Sequence, residues 1–568
     1  MRIKTMKSKW FVLLTGMVAA AALAFAAGCD TDKPAGGDAS VDGGVDAAVT
    51  PDATPDAAVP PFELDEDRIF EDVAWLAHDD RAGRAPGTPG NEASLDYVEA
   101  LYAELGLTPA GDGGTYRQAF EFDHWELTAP SSLTVDGVVY TPGDQFITMS
   151  YSGSASAVAE VVFVGYGLTV PPFDPATYPN CPLDPAGYDD YAGVDVTGRV
   201  ALILRHGPGD DLDVYDHCPA NAACVSSPCL WNFGYKTANA QLHGAVAALI
   251  VQDFRHAAAD IINGDIGVDY HQPDVAGMFL HRGPVEAALP DLQNWANTID
   301  ASGIPQSVET GIFAEIGVQS ALATIQTENL IALVQGTDPQ LADEVVVVSS
   351  HLDHIGVDAT TGAINNGADD NASGTAVVME LARGVAHPDF GPARTVLFAA
   401  WNAEELGLIG SCYFVQNPTV NLTDITAMFS VDMVGAGNAT GVHAWNGNLP
   451  GYTWLMDVMQ GSVDARNWNY SVTPMDPLDL SDHVCFADAG VDAVLIDSLG
   501  THGFYHTPDD DIDHVTAADL GVAAAVMWAT LETLALGLED QYITSPKPSE
   551  APSGSPRPVA SHPYHRDR

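Results

Sequence analysis

The chain is short of positive charge. Only 21 lysines and arginines stand against 77 aspartates and glutamates, a formal net charge of −56. A surface of that sign repels phosphate backbones and anionic lipid headgroups. Nucleic acid is thereby excluded as a partner class, and membrane contact is confined to what an N-terminal lipid anchor provides. Cysteine is scarce too, with seven residues in 568. Beyond the first 25 residues, no run reads as long and apolar enough to span a bilayer. What is present is material for folding: 46% of residues are hydrophobic, enough to exclude global disorder, over a length that implies two or more folded units plus tails.

The leader sets the compartment. Lys4, Lys7 and Lys9 precede an apolar stretch over residues 10–25, the pattern of an export signal. Ala26-Ala27-Gly28-Cys29 follows and resembles a bacterial lipobox, in which the cysteine is acylated and becomes the mature N-terminus. Ala26 departs from the usual aliphatic residue, and ordinary secretion with cleavage at an A-x-A-like site is the alternative. On the favoured reading, residues 1–29 are a lipoprotein signal peptide and the chain is exported and anchored to the cell envelope. Residues 30–61, rich in Ala, Asp, Gly and Pro, carry too little apolar surface to offset their ordering entropy and read as a disordered tether. The tail, 541–568, is read the same way.

In an oxidising compartment, Cys181, Cys218, Cys224 and Cys229 suggest two disulfides pinning a loop. A structural zinc is the competing reading, although the spacings match no finger pattern. Cys412 and Cys485 either pair or remain buried thiols.

Helical spacing runs through residues 63–106, interrupted by a Gly/Pro-rich loop around Gly83 and Gly87. From about residue 127 to 324 the texture changes to short β-like runs with their own turns and cysteines, which reads as an inserted module. The last third carries the chemistry. Four apolar runs, over 344–350, 395–401, 427–431 and 493–496, each lead into acidic or histidine residues at their C-terminal ends. Runs apolar on both faces suit a mainly parallel sheet covered by helices, and such sheets gather ligand groups beyond the carboxyl ends of their strands.

The residues so delivered are His351, Asp353, Asp370, Glu404, Glu405, Asp432 and His506. Each alone has a plainer explanation as a helix cap, a turn residue or a solvated acid. Together they are imidazoles and carboxylates without a thiolate, the donor set that a pair of divalent cations requires.

Five ordered segments carry a resemblance. His351-Leu-Asp353, Gly367-Ala-Asp-Asp370-Asn-Ala-Ser-Gly374, Asn402-Ala-Glu404-Glu405-Leu-Gly407, Val431-Asp432-Met433 and Tyr505-His506-Thr-Pro508 resemble the motifs of the bacterial di-zinc aminopeptidases, metallopeptidase family 28. Gly83-Arg84-Ala-Pro-Gly87-Thr looks like that family's leading segment. Gly165-Tyr166-Gly167 and the stretch 189–199 resemble the protease-associated (PA) domain that many members carry as an insertion. The resemblance spans roughly residues 63–540.

It implies an α/β zinc-exopeptidase fold with a mainly parallel central sheet flanked by helices. The catalytic domain would comprise 62–126 and 325–540, and an inserted β-rich PA-like domain 127–324. His351 and Asp432 would hold one Zn2+, Glu405 and His506 the other, with Asp370 bridging both. Asp353 would orient the His351 imidazole. Glu404 would be the general base toward a water shared by two zinc ions. His354 and His502 are passed over by the family pattern. Ser481-Asp482-His483 resembles a family segment near the substrate pocket and is not a serine-protease triad, since three consecutive residues cannot converge on one atom. Asp509, Asp510 and Asp511 could bind calcium, but on so acidic a chain they read as a solvated loop.

The function implied is an aminopeptidase acting on peptides or proteins with a free N-terminus. A carboxypeptidase on the same scaffold would need basic residues to grip a substrate carboxylate, and no such cluster is visible. A glutaminyl cyclase generally works with one zinc, against five intact ligands here. A non-catalytic surface binding module is the alternative from another class, opposed by the intact ligands and Glu404.

Overall fold

The computed structural model describes residues 62–149, 151–178, 181, 183–208, 218–219, 221, 233–255, 274–359, 361–478 and 480–544. The leader with Cys29, the 30–61 tether, Cys224, Cys229 and the tail beyond residue 544 lie outside the described residues.

The strand Val345–His351 opens with four valines, and all seven of its residues are buried. Thr395–Trp401 is likewise buried throughout. β-Branched residues suit an extended, two-sided burial of this kind. Val345–His351 lies at the centre, parallel to Thr395–Trp401 on one side and to Ile425–Val431 on the other. Ala493–Ser498 continues the parallel set beyond Ile425–Val431. All four apolar runs expected as strands are therefore adjacent and point the same way.

Side chains alternate across this sheet. Val346, Val348, Phe398 and Phe429 face one core, which the helices Glu66–Leu76, Gly374–Val385 and Ala517–Ala535 fill with Ile69, Val377, Leu381, Leu520 and Val526. Val345, Val347, Leu397 and Trp401 face the other core, closed by Phe414 of helix Ile409–Gln416 and Phe486 of helix His483–Asp488. Thr516 caps Ala517–Ala535 by accepting the N–H of Asp519. That helix is, by length and composition, apolar enough to cross a bilayer, contrary to the expectation that no such segment follows the leader. It is a core helix, with Leu520, Val526, Leu531 and Leu534 buried.

The expected domain boundaries fall inside strands. Arg117–Val135 runs through position 126, and Ser307–Val334, 28 residues long, runs through 324. The latter strand pairs antiparallel with Thr395–Trp401 through its C-terminal part and with Ala155–Val164 through its N-terminal part. One sheet therefore extends from the 325–540 segment into the 127–324 segment. The 127–324 segment is more than β-rich. Ala155–Val164, Val200–Leu204, Ala247–Val251 and Ala276–Leu280 form a second parallel set with helix Phe233–Leu242 beside it. It has its own apolar core. Cys181 and Cys218 are joined by a disulfide, as are Cys412 and Cys485.

Candidate metal centre

The C-terminal ends of the parallel strands converge. His351 ends its strand, Glu404 and Glu405 follow Trp401 by three and four residues, Asp432 follows Val431, and His506 lies in the loop after Ala493–Ser498. Asp370 lies in the turn leading into helix Gly374–Val385. Its carboxylate occupies the centre. One oxygen is 3.2 Å from His351 Nε2, and the other is 3.1 Å from His506 Nε2. His351 Nε2 is also 3.2 Å from Asp432 Oδ1 and 4.0 Å from Glu404 Oε2. His506 Nε2 is 2.9 Å from Glu405 Oε2. The two lobes thus share Asp370, and the seven sequence-derived residues lie together.

Backbone geometry explains how adjacent glutamates serve different lobes. Ala403 has φ +58°, a left-handed kink that ends the strand and opens a turn rather than a helix. Glu404 then reaches toward His351 while Glu405 reaches His506. The Asp353 carboxylate accepts the N–H of Glu404 at 3.1 Å and of Glu405 at 3.3 Å. This differs from the expected role. His351 Nδ1 is 3.2 Å from the backbone carbonyl of Asp353 and 4.0 Å from its carboxylate. A carbonyl fixes the imidazole, and the Asp353 side chain holds the glutamate turn.

A shell of backbone contacts positions Asp370. Gly367 has φ +60°, and a Cβ there would lie 2.2 Å from the Asp370 carbonyl, so only glycine fits. Asp510 accepts the N–H of Asp369 and of Asp370. It is buried, not solvated as expected for that acidic loop, and burial pushes its carboxyl up to about 8. Asp369 accepts from Gly435 and Ala436 N–H and pairs with His502 at 2.6 Å, so His502 stands behind the site. Arg84, fully buried, donates to the carbonyls of Leu352, Leu76, Asn366 and Gly367. It ties the His351 loop to the Asp370 loop. The motif Gly83-Arg84 marked this residue in the sequence, but nothing there gave its partners.

Ser481 donates to Asp432 Oδ2 at 2.8 Å and is a support for that carboxylate, not a nucleophile paired with His483. His354 is the residue that sequence reasoning set aside and the fold brings in. Its Nδ1 lies 2.5 Å from Glu405 Oε1 and 3.8 Å from Asp370 Oδ2. Proximity to His351 was the only signal.

Burial drives the electrostatics. Desolvation, with His351 opposing it, leaves the Glu404 carboxyl well above the usual range, and neighbouring Glu405 and Asp482 add to the rise. Against burial, His351 and His506 hold Asp370 well below its ordinary value. Glu405 falls to about 2, where burial and Asp370 are outweighed by His506 and His354. Both imidazoles rise well above 6.5 despite burial, because carboxylates face them. The cluster therefore demands positive charge, and protons on the imidazoles meet part of that demand. Four carboxylates buried around two lobes fit a pair of divalent cations, for which those protons would compete. Donors of this type and spacing group into His351, Asp370 and Asp432 on one side and His354, Asp370, Glu405 and His506 on the other.

A cavity of about 520 Å³ adjoins the second lobe, with Glu405 and His354 in its wall. Its lining combines Ile325, Ile355 and Leu406 with Trp125, Leu127 and Ile147, and among the described residues it includes no lysine or arginine.

Residues 329–531 match Peptidase family M28. The chain is similar to leupeptin-inactivating enzyme 1 of Streptomyces exfoliatus, 32% identical over 34% of this chain and 39% of that protein. It is also similar to an aminopeptidase of Pseudomonas aeruginosa, 27% identical over 65% of this chain and 56% of that one. The chain thus spans about half the length of the curated relatives it matches. Its fold is shared with a zinc aminopeptidase from Bacillus subtilis, at a TM-score of 0.56 and 18% identity, covering 86% of this chain and 97% of that one. His351, Asp370, Glu404, Glu405, Asp432 and His506 all fall within the segment that matches Peptidase family M28.

Proposed function

We propose that the protein is a metal-dependent aminopeptidase that holds two zinc ions and hydrolyses the N-terminal bond of peptides. The observation that carries this reading is the pair of buried lobes sharing Asp370, each with an imidazole and carboxylates at ligand spacing. His351 and Asp432 would hold one ion, Glu405 and His506 the other, and Asp370 both. Bound there, such a pair supplies Lewis-acid polarisation of the scissile carbonyl and acidifies water.

The chain's own residues do the rest. Glu404 is buried beside His351, 4.0 Å away, without being tied up by it, which leaves its carboxylate free to take a proton from water and return it to the departing amine. Asp353 fixes the turn that aims Glu404. The adjoining cavity receives the peptide, and among the described residues its lining offers no lysine or arginine to clasp a substrate carboxylate. That disfavours carboxypeptidase action and agrees with the aminopeptidase names among the relatives.

Hydrolysis of aminoacyl anilides, but not of N-blocked analogues, tests the reading. A chelator abolishes turnover, and Glu404→Gln lowers kcat by about 10²–10⁴-fold with zinc retained. An unchanged rate in Glu404→Gln removes that residue from its role.

We further infer export with lipid attachment at Cys29, and a protease-associated identity for residues 127–324. The leader pattern and the Gly165–Gly167 and 189–199 segments support these readings. In a bacterial host, the full chain fractionates with membranes and Cys29→Ser is released to the soluble fraction. Equal partitioning of the two would rule out the anchor.

A further inference from the structure

We infer that His354 is a direct donor to the second cation, making that position a site of two imidazoles and two carboxylates. This rests on the two-metal reading above and extends it to a residue outside the family pattern. His351 and His354 leave the same strand end, three residues apart, yet they face opposite oxygens of the Asp370 carboxylate. His351 Nε2 is 3.2 Å from Oδ1, while His354 Nδ1 and His506 Nε2 are 3.8 and 3.1 Å from Oδ2.

Two donors on one tetrahedral zinc, at bonds of about 2.0–2.1 Å, stand about 3.3 Å apart. The separations within this lobe bracket that value: 2.5 Å from His354 Nδ1 to Glu405 Oε1, 2.9 Å from His506 Nε2 to Glu405 Oε2, and the two distances to Asp370. The four donor atoms lie within 4.8 Å of one another. A carboxylate can then offer one oxygen to the ion while the imidazoles come from two sides, the rings standing edge to face with centroids 5.5 Å apart.

The ring is also held in place for this. His354 is fully buried. Its Cγ–Cδ2 edge lies on Gly367, where a Cβ would come within 2.5 Å of either atom. The ring therefore cannot withdraw toward Gly367, and its Nδ1 stays directed at Glu405 and Asp370. Nε2 makes no hydrogen bond among the described residues, so the polar contacts of the side chain run to the cluster. The consequence is unequal sites. One position has His351, Asp432 and Asp370, and the other has one more neutral nitrogen donor, which binds zinc more tightly than an added water.

Zinc absorption fine structure on the full chain loaded with two equivalents counts imidazoles directly, beside a chelator-competition titration of wild type and His354→Ala. Expected are three imidazoles per zinc pair in wild type and two in the variant. One of the two binding steps weakens by about 100-fold or more, beyond the usual cost of losing a group that only orients a ligand, while the other holds. Two imidazoles per pair in the wild-type protein overturn the inference, whatever the titration gives, and need no folded variant. A chain that takes up no zinc overturns the two-metal reading along with it.

Discussion

At the scale of single residues, the fold brings His351, Asp370, Glu404, Glu405, Asp432 and His506 together. Few residue types serve a divalent pair, and imidazoles and carboxylates gathered at strand ends and a helix start are of those types. The supporting residues were harder to read. Asp353 was expected to hold an imidazole and instead holds two backbone N–H groups, a contact that depends on where the Ala403 kink sends the chain. Asp510 looked solvated because its neighbours are acidic, yet it is buried against the Asp369–Asp370 backbone. His502 offers a test at this scale. Against burial, Asp369 raises its imidazole to about 9 from an ordinary 6.5. A raised pKa contributes stability that is complete below about pH 6.5 and is lost as pH rises through about 9. His502→Asn is therefore less stable than wild type by on the order of 2–3 kcal/mol at pH 6, and the gap closes by pH 10. Urea unfolding of both proteins across that range measures it, and a gap independent of pH contradicts the pairing.

At the scale of elements, strands were legible where burial is two-sided, because an unbroken valine run has no competing reading once its length is short. Domain boundaries were not legible, since a change of texture along the sequence does not require a break in a strand. Ser307–Val334 carries both textures and belongs to both halves. The pairing of Cys412 with Cys485 was open for a related reason: 73 residues separate them, and only the packing of helices Ile409–Gln416 and His483–Asp488 on one sheet face brings them together. Closing a loop of that length restricts the unfolded chain, so the Cys412→Ser, Cys485→Ser double variant loses about 2–4 kcal/mol of unfolding free energy. Denaturant midpoints compared with wild type report this, and identical midpoints would show that the cross-link adds nothing.

At the scale of the whole molecule, acid dominates, with a net charge of −56. Most of that charge can remain in water, but the carboxylates at the strand ends cannot. Burying Asp370, Glu404, Glu405 and Asp432 together is tolerable only with positive charge among them. The Arg84 guanidinium lies behind the cluster, and desolvation lowers it to about 10 even with Asp510, Asp370, Asp353 and Glu405 near. At the strand ends four buried acids share one place with buried imidazoles, and that place fits cations. Equilibrium zinc titration of the chelator-stripped chain tests this most directly. Two zinc ions per chain are expected in wild type, with both lost or severely weakened in Asp370→Ala. Fewer than one ion per chain, or a stoichiometry indifferent to Asp370, would contradict it.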